Sequence, residues 1–221
     1  MPRKRLEKSD FYPYHVCARA NNQEWFSAPL NEVYEVYSDV SARTIEKYSL
    51  QIHAFVLMSN HFHMLCSTPQ SNLDIAMRYF MTESSRSIAR LSHRINKIYG
   101  SRYYWTIIRE SSHYAYAFKY IYRNPVRAGI VSRVQSYPWS TLNFFKRKMN
   151  SLIQSNESGF GELIPPNRRQ LLLWLNECED SEHEASMRKA LRRREFKFPR
   201  DRHGFAFKPN DALIRKKMTG T

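Results

Sequence analysis

The stretch HAFVLMSNHFHML (residues 53–65) decides the fold, because it predicts a β-hairpin. Strand-forming residues fill 50–58 and 61–69, and Ser59 and Asn60 between them are candidates for a two-residue turn. Consecutive strands joined by so short a turn pair in the antiparallel sense. We therefore expect these two segments to lie side by side in one antiparallel sheet.

The second strand of this hairpin carries His61 and His63, two residues apart. Residues i and i+2 of a strand point to the same face, so the two imidazoles lie side by side, and Phe62 and Met64 point to the opposite face. Two neutral imidazoles at this spacing suit a divalent metal ion. Two strand histidines with ordinary hydrogen bonds would show the same spacing, so the pair alone leaves both interpretations open.

The segments on either side of the hairpin predict an α+β domain. The apolar spacing and the strand-forming residues predict a strand at 11–20, a helix at 31–49, a helix at 71–100, a strand at 102–111 and a helix at 112–124. Pro125 is expected to stop the last helix, because the residue before a proline disfavours helical geometry. This order is typical of an antiparallel β-sheet with flanking helices.

The composition is strongly basic. The 221 residues include 35 Lys and Arg against 20 Asp and Glu, which gives a formal charge of +15 and a pI near 9.9. Such a charge favours a polyanionic partner, with nucleic acid as the first candidate and an anionic membrane surface as the alternative. No apolar run approaches the roughly 20 residues that span a bilayer, and no apolar segment follows the basic N-terminus. We expect neither membrane insertion nor a signal peptide.

Cysteine usage indicates the compartment. The three cysteines, Cys17, Cys66 and Cys178, are odd in number and widely spaced, without a C-x-x-C pair. This is neither a disulfide framework nor a zinc-finger pattern. A reducing, cytoplasmic setting is therefore expected.

A second set of chemically useful residues lies on the predicted helix at 112–124. His113, Tyr116, Tyr120 and Asn124 recur at i, i+3, i+7 and i+11 and so share one stripe of the helix. From this stripe a phenol could act as a nucleophile, and a carboxamide could offer an oxygen to a metal ion. Tyrosines that only pack against the sheet would give the same pattern, so the stripe by itself does not decide between the two.

Together, HAFVLMSNHFHMLCSTP (53–69) and FKYIYRNPVRAGIV (118–131) resemble two sequence blocks of the single-tyrosine HUH transposases. The branch that they resemble is associated with repetitive extragenic palindromes (REP) and related to the IS200-type transposases. Both blocks match in order and spacing, and the resemblance covers roughly residues 10–145. Ser59 stands where the family usually has proline, a departure that touches no chemistry.

The resemblance implies a metal-dependent endonuclease and strand transferase acting on single-stranded DNA, with an HUH fold of the ferredoxin or RRM class. Tyr120 matches the catalytic nucleophile, and His61, His63 and Asn124 match the ligands of a divalent ion, Mg²⁺ or Mn²⁺. Attack by the tyrosine on a phosphate would give a covalent 5′-phosphotyrosine and a free 3′-OH. The covalent bond would retain the energy needed to rejoin the strands.

A change of composition after Phe145 predicts two regions. Residues 1–145 are expected to form the HUH nuclease domain, and residues 146–221 a basic, helical C-terminal extension that binds DNA. The expected partner is single-stranded DNA with a REP-like hairpin. DNA contacts are predicted at Arg3, Lys4, Arg5, Arg123, Arg127, Arg192, Arg193 and Arg194. A solvated run of charge would have the same composition, so the role of the extension is predicted from charge only.

Several alternatives stay open. Tyr116 and Tyr122 compete with Tyr120 as nucleophile, and only the family motif favours Tyr120. A catalytically inactive nucleic-acid-binding protein could keep the same fold, whereas a zinc hydrolase or a two-histidine phosphoesterase would need further ligand motifs that are not visible. Both a monomer and a homodimer are compatible with the sequence. A transposase of this kind would work in the bacterial cytoplasm, at the nucleoid.

Overall fold

The computed structural model describes residues 5–142, 159–178, 180–207, 211 and 214. Its strands are β1 (Tyr14–Arg19), β2 (Gln51–Leu57), β3 (His61–Ser67) and β4 (Tyr104–Ile107). Its helices are α1 (Leu30–Tyr48), α2 (Leu73–Leu91), α3 (Ser111–Arg127), α4 (Arg168–Asn176) and α5 (Ser181–Ala190). None of the helices within these ranges is both long and apolar enough to cross a membrane. The predicted elements are present, and α2 and α3 end at residues other than those expected.

The four strands form one antiparallel sheet in the order β2-β3-β1-β4. The chain therefore runs β1-α1-β2-β3-α2-β4, which is the split βαβ arrangement of ferredoxin-like domains. His63 of β3 pairs with Cys17 of β1, and Cys17 pairs in turn with Tyr104 of β4. One row of paired residues thus crosses the sheet from His63 to Tyr104. The predicted α+β class, an antiparallel sheet with flanking helices, is confirmed.

The two faces of the sheet pack against different helices. On one face Phe62 and Met64 of β3 are buried with Tyr37 of α1 and Phe80 of α2. On the other face Leu65 of β3 is buried in a second core, which α3 and the C-terminal region share. The alternation predicted for β3 is therefore confirmed, and the two histidines of this strand lie on the α3 face.

Helix α2 ends at Leu91, so the prediction of one helix to Gly100 was wrong. His93 adopts a left-handed conformation (φ 51°), and the N–H of Arg94 donates to the carbonyl oxygen of Ala89 at 2.9 Å. A hydrogen bond of this span around a left-handed residue is a Schellman cap, which most often uses glycine. Because histidine occupies the left-handed position, the residue types gave no stop signal here.

Helix α3 continues through Pro125 to Arg127, so the predicted helix end at Asn124 was also wrong. Proline has no N–H and leaves the carbonyl oxygen of Ile121 without its helical donor. The side chain of Asn124 supplies a donor instead. Its Nδ2 lies 3.0 Å from the carbonyl oxygen of Tyr120 and 3.4 Å from that of Ile121. This substitute donor explains why the helix can contain the proline.

The described part of the C-terminal region packs directly on α3. Trp174 of α4 and Met187 of α5 share a core with Tyr114 and Ile121 of α3. The boundary expected between 145 and 146 falls outside the described residues. The division into 1–145 and 146–221 therefore stays a prediction.

A buried ion pair joins α3 to the chain beyond α5. The Nζ atom of Lys119 lies 3.0 Å from Asp211 Oδ2 and 3.5 Å from Glu177 Oε2. The indole N–H of Trp174 donates to the same Asp211 oxygen at 3.0 Å. A buried charge that lost its partner would be strongly unfavourable, so these contacts fix the C-terminal region on the helix that carries Tyr120.

Candidate active site

A cavity of about 990 Å³ opens on the α3 face of the sheet. His61 and His63 of β3 line it together with Tyr120 and Asn124 of α3. Further lining residues come from β1 and from α5 with the segment after it: His15, Cys17, Arg19, Arg188, Leu191 and Arg192. The four residues predicted to be nucleophile and metal ligands therefore meet in one cavity, although two distant parts of the chain supply them.

Asn60 holds the ring of His61 in one tautomer. Asn60 Nδ2 donates to the carbonyl oxygen of Gln23 at 2.6 Å, so the amide oxygen Oδ1 faces the ring, 2.7 Å from His61 Nδ1. An amide oxygen can only accept, and His61 Nδ1 therefore carries the proton. The lone pair of His61 is then on Nε2, the atom that can bind a metal ion.

His15 contacts His63 in a similar way. His15 Nε2 lies 2.9 Å from His63 Nδ1, and the two rings stack with their centroids 5.1 Å apart. Either nitrogen can be the donor. With the proton on His63 Nδ1, the lone pair of His63 is on Nε2, as in His61. The rings of His61 and His63 meet edge to face, with 5.1 Å between their centroids.

Burial keeps these imidazoles neutral near pH 7. Burial and the nearby Arg19 lower the pKa of His61 to about 4, and burial lowers the pKa of His15 to about 3. The pKa of His63 is held well below its usual value, first by burial and then by His15, His61, Arg127 and Arg19. Neutral imidazole is the form that coordinates metal ions, so the side chains are already in their binding state.

The side chain of Asn124 is oriented by its own helix. Because its Nδ2 donates to helix carbonyl oxygens, Oδ1 is the amide atom that the helix leaves unused. An amide oxygen is a suitable ligand for hard divalent cations. The same hydrogen bonds that compensate for Pro125 therefore make an oxygen available at the cavity.

These donors fit a divalent cation. His61 and His63 offer imidazole nitrogens, and Asn124 offers an oxygen, in a cavity with room for phosphate oxygens or water. Imidazole nitrogens favour transition-metal ions, whereas the amide oxygen suits both Mn²⁺ and Mg²⁺. In the described parts of the chain, this cavity included, no three His, Cys, Asp or Glu side chains are grouped as a metal site, so the third protein donor here is the Asn124 amide oxygen.

Tyr120 lies between the histidines and an arginine. Its side chain, 7% exposed, is edge-on to the ring of His63 with centroids 5.9 Å apart. The guanidinium carbon of Arg127 lies 4.5 Å from the centre of the Tyr120 ring, and Arg127 Nε lies 3.2 Å from Glu184 Oε2 of α5. Burial acts to lower the pKa of Arg127, but its interactions with Tyr120 and Glu184 raise it above the usual value. A positive charge is therefore held beside the phenol.

The two competing tyrosines do not line the cavity. Tyr116 is buried against the C-terminal region, with its ring 5.7 Å from that of His183. Tyr122 is buried with its hydroxyl 2.9 Å from Thr141 Oγ1. Their positions distinguish them from Tyr120, which the sequence spacing alone could not do.

The predicted DNA contacts outside the C-terminal run (Arg192, Arg193 and Arg194) differ in how far they are exposed. Arg3 and Lys4 lie outside the described residues, and Arg5 is exposed. Arg123 is buried, and its Nη1 donates to the carbonyl oxygen of Leu175 at 3.1 Å. Arg123 therefore holds the C-terminal region, and a contact between this residue and DNA stays a prediction.

The arginines after α5 differ in their surroundings. Arg192 is exposed at the cavity, and Arg193 is exposed to solvent. The guanidinium of Arg194 lies over the ring of Trp105, 4.7 Å from its centre. Of these three residues, the structure places Arg192 with the predicted nucleophile and metal ligands.

His15, Arg19 and Asn60 line or support the cavity and were not among the predicted site residues. The first strand alternates the polar residues His15, Cys17 and Arg19 with apolar ones. That alternation was a usable signal for a strand with one face toward a site. No comparable signal marked Asn60, which the sequence indicated only as a turn residue.

A sequence model of the family described as Transposase IS200 like matches residues 10–124. The chain belongs to this family. Its members are transposases, which are enzymes acting on DNA. The resemblance seen in the two sequence blocks is thereby confirmed.

Curated relatives and a solved structure agree with this assignment. A Haemophilus influenzae protein assigned to the REP-associated tyrosine transposases is 24% identical over 152 residues, which are 64% of this chain and 84% of the relative. A REP-associated tyrosine transposase of Escherichia coli K12 is 29% identical over 96 residues, 42% of this chain and 54% of the relative. A solved REP-associated tyrosine transposase bound to a REP hairpin gives a TM-score of 0.57 at 21% identity, over 65% of this chain and 84% of that one. At 21% identity, this structural match shows that the two proteins share a fold.

Proposed function

We propose that this transposase cleaves and rejoins single-stranded DNA beside a hairpin, with Tyr120 as the nucleophile. His61, His63 and Asn124 would hold the divalent ion, Mg²⁺ or Mn²⁺. The observation that carries the proposal is the meeting of these four side chains in one cavity. Hydrogen bonds that hold the side chain of each proposed ligand also support the proposal.

A bound divalent ion would polarise the scissile phosphate and hold it for in-line attack. The hydroxyl oxygen of Tyr120 forms a bond to phosphorus, and the bond from phosphorus to the 3′ oxygen breaks. The products are a 5′-phosphotyrosine and a DNA strand with a 3′-OH. When another 3′-OH attacks the phosphotyrosine, the strands are rejoined and the phenol is restored.

Arg127 has two parts in this reaction. Its guanidinium beside Tyr120 stabilises negative charge on the phenol oxygen as the proton leaves. The same group can pair with a phosphate oxygen, because Arg127 lines the cavity and its Nη1 has no hydrogen-bond partner among the described residues. Glu184 keeps the guanidinium in place from α5.

The DNA partner is inferred from charge and from a relative. The solved relative is bound to a REP hairpin, and this chain has a formal charge of +15. Of the three arginines after α5, Arg192 lines the cavity and would contact DNA beside the proposed chemistry. Arg5, Arg193 and Arg194 would add phosphate contacts that raise affinity without reading sequence. We place this activity at the bacterial nucleoid, in the cytoplasm.

A second candidate function is hairpin binding without cleavage. The presence of both histidines, the tyrosine and the asparagine argues against it, because loss of activity would not be expected to preserve the whole set with its supporting hydrogen bonds. Binding without a covalent product under all metal conditions would favour this alternative. Both candidates allow a monomer or a homodimer.

The test is a cleavage assay on single-stranded oligonucleotides that contain a hairpin, with Mn²⁺ or Mg²⁺ present. The parent protein is expected to form a covalent protein–DNA adduct, and Tyr120→Phe is expected to form none. Tyr116→Phe and Tyr122→Phe are the matched controls and should keep the adduct. Addition of a chelator should abolish cleavage. An adduct that persists in Tyr120→Phe would refute the proposed nucleophile.

A further inference from the structure

Tyr104 is an exposed aromatic ring on the wall of the catalytic cavity. It begins the edge strand β4, its side chain is 67% exposed, and it lines the same cavity as His61 and His63. Through Cys17 it belongs to the row of paired residues that includes His63. With strands about 4.8 Å apart, the backbone of Tyr104 lies roughly 10 Å from that of His63, on the same face.

The neighbours of Tyr104 in β4 are covered, which makes its exposure specific to this position. Trp105, Thr106 and Ile107 are all buried. Thr106, the next residue on the cavity face, has its Oγ1 2.9 Å from the carbonyl oxygen of Leu191 and 2.8 Å from that of Arg193. The segment after α5 therefore covers β4 at Thr106 and leaves the ring of Tyr104 open.

The cavity that this ring lines also carries cationic side chains. Arg19, Arg188 and Arg192 line the same cavity. An exposed aromatic ring in a cavity that arginines also line suits single-stranded nucleic acid, because a base can stack on the ring while arginines neutralise phosphates. A duplex would not offer a free base face to this ring, since its bases are stacked on one another.

We propose that Tyr104 is the stacking platform for an unpaired nucleobase next to the scissile phosphate. The inference rests on the proposed function, because that function places the phosphate at His61 and His63. A tyrosine ring stacks on any base, so Tyr104 contributes affinity and strand position without selecting sequence. Because a duplex offers no free base face, the ring favours binding of single-stranded flanks over duplex at the active site.

The test combines a protein truncation with removal of single bases from the DNA. Binding is measured by fluorescence anisotropy with Mn²⁺ in the full-length Tyr120→Phe protein, so that no covalent product accumulates. The DNA is a hairpin with single-stranded flanks, and one abasic site is moved through the flanks position by position. Tyr104→Ala is compared with Tyr104→Phe and with Phe205→Ala, which removes another exposed ring (72%) outside the cavity lining.

Tyr104→Ala is expected to weaken binding by about 5- to 100-fold, whereas Tyr104→Phe and Phe205→Ala should stay within about 2-fold of the parent. One abasic position should weaken DNA binding by the parent Tyr120→Phe protein by a similar factor. The same abasic position should not change DNA binding by the Tyr104→Ala variant. If Tyr104→Ala binds as the parent does, or responds to every abasic site as the parent does, the platform is refuted.

The outcomes separate this inference from the proposed function. Suppose that the protein with Tyr120 intact cleaves hairpin DNA, but no abasic position removes the effect of Tyr104→Ala on affinity. The stacking role of Tyr104 is then refuted, and the proposed function is not. If one abasic position removes that effect and no metal condition gives cleavage, the proposed function fails and the platform stands as a feature of a binding protein. The side chain of Tyr104 is exposed, so its truncation should leave the unfolding midpoint in urea unchanged.

Discussion

His15 Nε2 lies 2.9 Å from Nδ1 of His63, across the paired strands β1 and β3. The two residues are diagonal neighbours, since His63 pairs directly with Cys17. The contact restricts the orientation of the ring of His63, a proposed metal ligand that lines the cavity. His15 is therefore a positioning residue for His63.

Replacement of His15 should weaken metal binding. His15→Ala is expected to lower Mn²⁺ affinity by about 10- to 100-fold, because the ring of His63 loses the partner that orients it. Isothermal titration calorimetry on the metal-free protein measures the effect. His113→Ala is the matched control, since His113 packs against Phe196, with ring centroids 4.5 Å apart, outside the cavity lining. Equal Mn²⁺ affinities in the parent and His15→Ala would contradict this role.

Asn60 allows a test of the hydrogen bond to His61. Asn60→Leu removes the acceptor and is expected to lower Mn²⁺ affinity by about 10-fold or more. Asn60→Asp keeps an acceptor for His61 Nδ1, although it loses the donor to Gln23. The aspartate variant should therefore retain most of the affinity. If both variants lose the same Mn²⁺ affinity, the hydrogen bond to His61 is not the cause, and the loss comes from the altered turn.

Removal of the charge beside Tyr120 should slow the chemical step. Arg127→Ala is expected to reduce the single-turnover rate of cleavage by about 10²-fold, because its positive charge stabilises the transition state. Arg127→Lys should restore part of the rate. The exposed Arg193 provides a matched control, and Arg193→Ala should change DNA affinity more than rate. A variant of Arg127 that alters affinity alone would show that the residue only binds DNA.

Glu184 tests whether the position of the guanidinium matters as well as its charge. Glu184→Gln leaves Arg127 in the protein but removes the ion pair of 3.2 Å. We expect a smaller loss of cleavage rate than in Arg127→Ala, with DNA affinity unchanged. In the Arg127→Ala background the same substitution should have no further effect on rate. Independent, multiplicative losses in the double variant would rule out the positioning role.

The ion pair between Lys119 and Asp211 predicts how firmly the C-terminal region is held. Asp211→Asn leaves a buried ammonium with less compensation and removes a charged acceptor from Trp174. We expect a loss of about 3 kcal/mol in the free energy of unfolding, measured with urea. The double variant Lys119→Met with Asp211→Leu should lose less than the single one. A single variant as stable as the parent would show that the contact contributes little.

The sheet could be predicted from the sequence because the residues that specify its hairpin and strand alternation are neighbours in the chain. The hairpin at 53–65 and the strand alternation in β3 follow from neighbouring residues, and both are present in the structure. The ends of α2 and α3 were wrong because each depends on a detail that residue type does not reveal. His93 takes a left-handed conformation, and Asn124 donates to the helix across Pro125.

The site was predicted only in part, for a similar reason. His61, His63, Tyr120 and Asn124 lie in recognisable motifs, and the structure brings them together. The contacts of His15 with His63 and of Glu184 with Arg127 join residues far apart in the chain. They depend on the strand order and on the packing of α5 against α3, which spacing along a sequence cannot show.

The most direct test of the account is to identify the residue that becomes bound to DNA. The parent protein is incubated with Mn²⁺ and a single-stranded hairpin oligonucleotide, the adduct is digested, and the modified peptide is sequenced by mass spectrometry. The account predicts a nucleotide attached through its 5′ phosphate to the hydroxyl oxygen of Tyr120. Attachment to Tyr116, Tyr122 or any other residue, or cleavage without an attached nucleotide, would contradict it.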